Sequence, residues 1–217
     1  MKNRQHFIVH SFITFLLILG GITSMCAQKK LFKEWVGPSF TQLHIDSDQI
    51  SKITLRSEPI DKITIYTRME GETVDNNLIT VVTTDKVLSI GTDITPFFEP
   101  YNDKLAAHKV LAIEMIVIIP ENLSVTIRSK LANIYGSGRI NYLDAELETG
   151  FIELESYEGN AILFSKWGSI KVRALPGVSG KGSSINGEVL NSLPSKGNYV
   201  IDAASSHGAI VLLQTKK

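Results

Sequence analysis

A single cysteine among 217 residues excludes an internal disulfide framework and any cysteine-rich zinc site. A charge surplus is missing too: 22 basic side chains balance 22 acidic ones. The chain therefore lacks the excess positive charge with which nucleic-acid binders neutralise phosphates, and no nucleic-acid partner is expected. Long helical periodicity is absent, which removes helical bundles and alternating helix–strand folds. Beyond the first 27 residues no apolar run approaches the roughly 20 residues that a bilayer-spanning helix needs. What remains, 43% hydrophobic and 20% charged, is the composition of a packed globular protein.

The first 27 residues have the layout of a secretory signal. Lys2 and Arg4 are positive, Phe7 to Gly20 is mostly apolar, and Gly20 to Ala27 is small and polar. Cleavage after Ala27 leaves a mature chain from Gln28 to Lys217, whose charge is 20 basic against 22 acidic, or −2. An uncleaved N-terminal anchor is the alternative. Lipid attachment at Cys26 fits poorly, because Met25 stands where a small residue normally precedes such a cysteine and Thr23 where a leucine does. The expected destination is the periplasm, the outer-membrane surface or the exterior, with no transmembrane span after cleavage.

The mature chain reads as all-β. Ile50-Ser-Lys-Ile-Thr-Leu-Arg56 is echoed by Ile60-Asp-Lys-Ile-Thr-Ile-Tyr66, with Glu58-Pro59 as the turn between them. Leu78–Val82 and Val87–Ile90 flank Thr84-Asp-Lys86. Leu111, Ile113, Met115, Val117 and Ile119 alternate along one face of a strand that stops at Pro120. Strands are expected from about Phe40.

The second half repeats. A small residue followed two places later by Ile or Val recurs at Ala132, Gly150, Gly168, Gly187 and Gly208, at spacings of 18, 18, 19 and 21. Such a period marks a solenoid whose units bury their apolar faces against one another. The expected fold is a strand-rich N-terminal half and cap (28–122) running into a short parallel β-solenoid (123–217), together one domain. Ile134, Ile152, Ile170, Val189 and Ile210 should form one buried column. The register also sorts charges into opposite signs: Arg128 over Glu146, Lys130 over Glu148 over Lys166, Glu153 over Lys171, and Glu155 over Arg173. That sorting reads Glu146, Glu148, Glu153 and Glu155 as ion-pair partners rather than a metal or catalytic cluster. Gly177-Val-Ser-Gly-Lys-Gly182 lacks the spacing of a phosphate loop and reads as a bend.

The signal segment, Asp103-Lys-Leu-Ala-Ala-His-Lys-Val110 leading into the Leu111–Ile119 strand and Pro120, and units such as Trp167-Gly-Ser-Ile170 resemble a family of secreted bacterial adhesin-like domains. These are also described as auto-transporter adhesin head (GIN) domains. The resemblance covers most of the mature chain. It implies a β-solenoid exported to the cell envelope or surface, and it carries no catalytic residues across.

No catalytic, cofactor or metal residues are expected. His44, His108 and His207 are scattered through the mature chain, and Ser205-Ser-His-Gly208 offers a Ser–His pair without an orienting acid. Paired carboxylates for sugar cleavage are not evident. The expected function is a non-catalytic binding or scaffolding module whose partner is a protein or glycan at the envelope. A small β-helix enzyme acting on a polysaccharide is the alternative. Thr92 to Lys109 interrupts the strands and holds Pro96-Phe-Phe-Glu-Pro-Tyr101. Phe97, Phe98 and Tyr101 are thus the candidate ligand contacts, or else a plug over the end of the core.

Overall fold

The computed structural model describes residues 28–36, 39–71, 77–94 and 111–215. The signal segment and the Phe97–Tyr101 run lie outside them. The described chain is all-β, 15 strands joined in one sheet, with no α-helix. In order they are β1 (Gln28–Val36), β2 (Gln42–Asp46), β3 (Ile50–Glu58), β4 (Lys62–Gly71) and β5 (Asn77–Thr84). Next come β6 (Val87–Ile94), β7 (Leu111–Pro120), β8 (Ser124–Ser129), β9 (Asn133–Leu147) and β10 (Ile152–Ser165). The last five are β11 (Ile170–Ala174), β12 (Val178–Ser184), β13 (Val189–Asn191), β14 (Tyr199–Ser205) and β15 (Ile210–Gln214).

The pairings form two rows. The first runs β1-β4-β7-β3-β9-β10-β11-β15-β13, and the second β5-β6-β2-β8-β9-β10-β14-β12. The long strands β9 and β10 belong to both. Their first halves pair in the first row and their second halves in the second, with bulges between Glu155 and Tyr157 and between Glu158 and Asn160. The rows face one another: a Cβ on Gly182 of β12 would lie 3.2 Å from Ile210 of β15. One core fills the space between them.

Pairing is antiparallel at β1/β4, β4/β7 and β5/β6, and parallel everywhere else. The parallel ladder is not confined to residues after Leu123, since β3 pairs in parallel with both β7 and β9 and β2 with both β6 and β8. Strand β1 was not legible as a strand. Leu31-Phe32 and Trp35-Val36 set apolar residues side by side, without a period of two, and only pairing with β4 sorts them. Leu31 and Trp35 then pack on the core while Phe32 is exposed.

The repeat forms the column it implies, with one exchange. Ile134, Ile152, Ile170, Ile210 and Val189 pair in that order, so β15 lies between β11 and β13. Val189 is not buried but 42% exposed, at the end of the row. The reason is visible in β12. After buried Val178 its inward positions are Gly180 and Gly182, in register with Ile201 and Ala203 of β14. The unit that is bare at these two central positions stands at the end, while β14 and β15 bring a full apolar set inside. Gly177-Val-Ser-Gly-Lys-Gly182 is accordingly a bend only at Gly177, where φ is +96°, and a strand from Val178.

Each small residue of the repeat sits on the next. A Cβ on Gly168 would lie 1.5 Å from the Gly150 carbonyl oxygen, and one on Gly208 would lie 1.8 Å from that of Gly168. Serines three residues earlier close the same corners. The Ser205 hydroxyl accepts from Gly208 N–H (2.8 Å) and donates to the Ser165 carbonyl (2.8 Å). Ser165 and Ser184 accept likewise from Gly168 and Gly187. Corner hydroxyls thus satisfy backbone groups that the turn leaves without ladder partners.

Candidate functional site

The acidic residues of the ladders are engaged. Lys171 Nζ lies 2.7 Å from Glu153 Oε1, Lys166 Nζ 3.5 Å from Glu148, and Arg173 pairs with Glu155. Arg128 divides itself, 2.7 Å from Asp144 and 3.2 Å from Glu146, and its pKa is raised chiefly by the bond to Asp144. Lys130 departs from the expected column and bonds Asp48, beyond the end of the neighbouring strand β2. Among the described residues no group of three or more His, Cys, Asp or Glu side chains is placed to hold a metal ion.

The Ser–His pair is not assembled as a nucleophile and base. The Ser205 oxygen is spent on the corner, and His207 instead stacks on Trp167 with ring centroids 3.9 Å apart and planes 19° from parallel. His44 lies on the outer side of β2, in register with Thr126 and Ser89. His108, Phe97, Phe98 and Tyr101 lie outside the described residues.

Two surfaces escaped the sequence reading. The first is a strip on the outer side of the first row. Phe32 pairs with Tyr66, Tyr66 with Ile116, Ile116 with Thr54, and Thr54 with Tyr135. Phe32, Tyr66 and Ile116 are 54%, 45% and 39% exposed. The Phe32 and Tyr66 rings are 4.9 Å apart, and Tyr135 meets Phe151 edge-on at 5.3 Å, with Lys52 above it. Charged side chains border the strip: Lys62 and Glu34 pair at 2.7 Å on one side, and Arg68 bonds Glu70 on the other. Strand periodicity could not find it. Its members come from five strands, and Phe32 lies in the strand that showed no alternation.

The second surface is a polar groove of about 250 Å³ where β9 and β10 cross from one row to the other. Glu121, Asn122, Arg139, Asn141, Glu158 and Tyr199 line it. Arg139 donates to the Tyr199 hydroxyl (3.1 Å) and lies 3.5 Å from Glu158, so its pKa is raised, first by the bond to Tyr199. Gly159 forms part of the wall with φ at +148°, where a Cβ would lie 1.7 Å from the Ile140 carbonyl oxygen. Beneath it, buried Tyr157 donates to the Asn160 carbonyl (2.9 Å), and Asn160 Oδ1 accepts from Val200 N–H (3.0 Å), tying β10 to β14. Burial raises the Tyr157 pKa, so its phenol stays neutral. Asn122 also borders a second cleft of about 400 Å³ with Phe40, Ile60, Pro120 and Leu123.

Among solved structures, the chain is similar to a candidate cell adhesion protein from Clostridium sporogenes, at 15% identity and a TM-score of 0.60, over 87% of this chain and 100% of that one. A candidate adhesin from Bacteroides fragilis is 17% identical, with a TM-score of 0.41 over 86% and 97% of the two chains. The first likeness is one of fold. No protein-family model and no curated protein matches the chain.

Proposed function

We propose that the chain is an exported, non-catalytic β-solenoid that serves as an adhesin-like binding or scaffolding module at the cell envelope, with 1–27 as a removable signal and 28–217 as one domain. The parallel registers of β8 to β15 support the solenoid reading, with the antiparallel strands as its cap. Gln28, which cleavage after Ala27 would expose, already pairs with Glu70. The fold shared with the Clostridium protein agrees with a surface role. The absence of catalysis rests on the ladder acids, each held by a base.

The observation that carries the binding role is the strip of Phe32, Tyr66 and Ile116. An aromatic and aliphatic centre within a charged rim is the anatomy of a protein-docking surface. A protein at the envelope is therefore its partner. The Phe97, Phe98 and Tyr101 run is the other candidate contact. The test is binding of the purified protein to intact cells, with Phe32→Ser/Tyr66→Ser and Phe97→Ser/Phe98→Ser compared. Loss of binding on the strip variant, at an unchanged melting temperature, is the expected result. Full binding by the strip variant would reject the strip. An early melt of the Phe97→Ser/Phe98→Ser protein would make that run a plug, since each core ring lost costs about 3–5 kcal/mol.

A further inference from the structure

We infer that the groove where β9 and β10 change rows binds a neutral oligosaccharide, one sugar in the polar cleft and the next in the cleft that shares Asn122. The charge balance argues against a phosphate and against a divalent cation. Two carboxylates, Glu121 and Glu158, stand against one guanidinium, and Arg139 is already held by Tyr199 and Glu158. A phosphate would face both carboxylates. A divalent cation would face the guanidinium, and no cluster of metal-binding side chains is present among the described residues.

Sugar hydroxyls each donate and accept, and the groove offers both roles at close range. Glu121 and Glu158 accept, Arg139 donates, and the amides of Asn122 and Asn141 do both. Tyr199 adds an aromatic side chain of few rotamers. The neighbouring cleft sets Phe40, Ile60, Pro120 and Leu123 beside Thr41 and Asp61, which suits the hydrophobic face of a second ring with hydroxyl acceptors next to it. Its walls are set before binding: Gly159 admits no side chain without displacing backbone, and the Tyr157–Asn160–Val200 bonds hold the crossing of strands in place. Preorganisation of this kind lowers the ordering cost of binding.

The inference does not depend on the strip, and the experiment keeps the two apart. Protein purified from cells expressing the full chain is titrated with cellotriose, maltotriose, laminaritriose and chitotriose, with inorganic phosphate and calcium as ionic controls. Calorimetry and saturation-transfer NMR are the readouts. At least one trisaccharide should bind saturably. Arg139→Gln and Asn141→Ala, both at exposed positions, should each weaken it by about tenfold or more. Phe32→Ser/Tyr66→Ser should leave it unchanged, even where cell binding is lost. Saturable binding by none of the four, or binding indifferent to both groove variants, overturns the inference. Displacement of the sugar by phosphate or calcium overturns the ligand class, and cleavage of the bound sugar overturns the non-catalytic reading.

Discussion

The two ends of this strand stack are closed in opposite ways. At the N-terminal end, antiparallel strands lie beside the parallel ladder, β1 on β4 on β7 in one row and β5 on β6 in the other. Large side chains fill the space between them: Leu31, Trp35, Ile79 and Val81 converge around a residual void of only about 10 Å³. At the C-terminal end the filling is taken away. Gly180 and Gly182 leave the middle of the last strand of the second row without inward side chains, and Leu193 occupies the space, close to where a Gly180 Cβ would stand (2.7 Å). The edge strand there, β13, is three residues long. An exposed strand edge invites pairing with other chains, and short or covered edges discourage it. One end is filled between its rows and the other tapers.

The largest expected effect follows from strand order. Among the described strands β12 pairs only with β14, and β13 only with β15, so both depend on the last two. Removing Tyr199–Lys217 should make everything from Val178 onward sensitive to protease, as fragment mass analysis would reveal. Removing Gln28–Val36 takes away an edge strand and should leave the C-terminal stack resistant. Equal damage from the two truncations would break the contrast between the ends.

A smaller effect tests the taper itself. Leu193→Ala should cost about 2–3 kcal/mol, and Gly180→Ala about 1–3 kcal/mol by overpacking against Leu193. The two losses should not add, because the new methyl group enters the space that the shortened Leu193 vacates. Additive losses in urea unfolding would mean that the side chains do not share that space.

The smallest effect lies midway between the ends. Lys171→Glu places two carboxylates side by side in the Glu153 column and should cost about 0.2–1 kcal/mol, largely recovered by adding Glu153→Lys. A double-mutant cycle without coupling would contradict the Ile152–Ile170 register.

How much was legible from sequence varies along the chain. The hairpin around Asp85-Lys86, the buried face of β7 and the columns of β8 to β11 were readable, because each rests on alternation or on a repeat between neighbouring units. The exchange of β13 and β15 was not. A repeat of about 20 residues states that units are alike and does not state which lies beside which. The strip and the groove were hidden for a related reason. Phe32, Tyr66 and Ile116 meet through β1, β4 and β7, and Tyr199 reaches Arg139 across 60 positions of chain.

By itself the sequence determined the all-β class, which side chains of β7 to β11 point inward, and the opposite signs of most ladder pairs, because a strand's period of two and the roughly 4.8 Å spacing of neighbours act locally. Tertiary structure alone decided the order of units and the shape of the ends. Those depend on which unit can stand at an edge, and that is a matter of volume: a unit with glycine at its two central inward positions fills a central layer poorly, while one with Ile201, Ala203, Ile210 and Leu212 would expose its apolar face if it stood last.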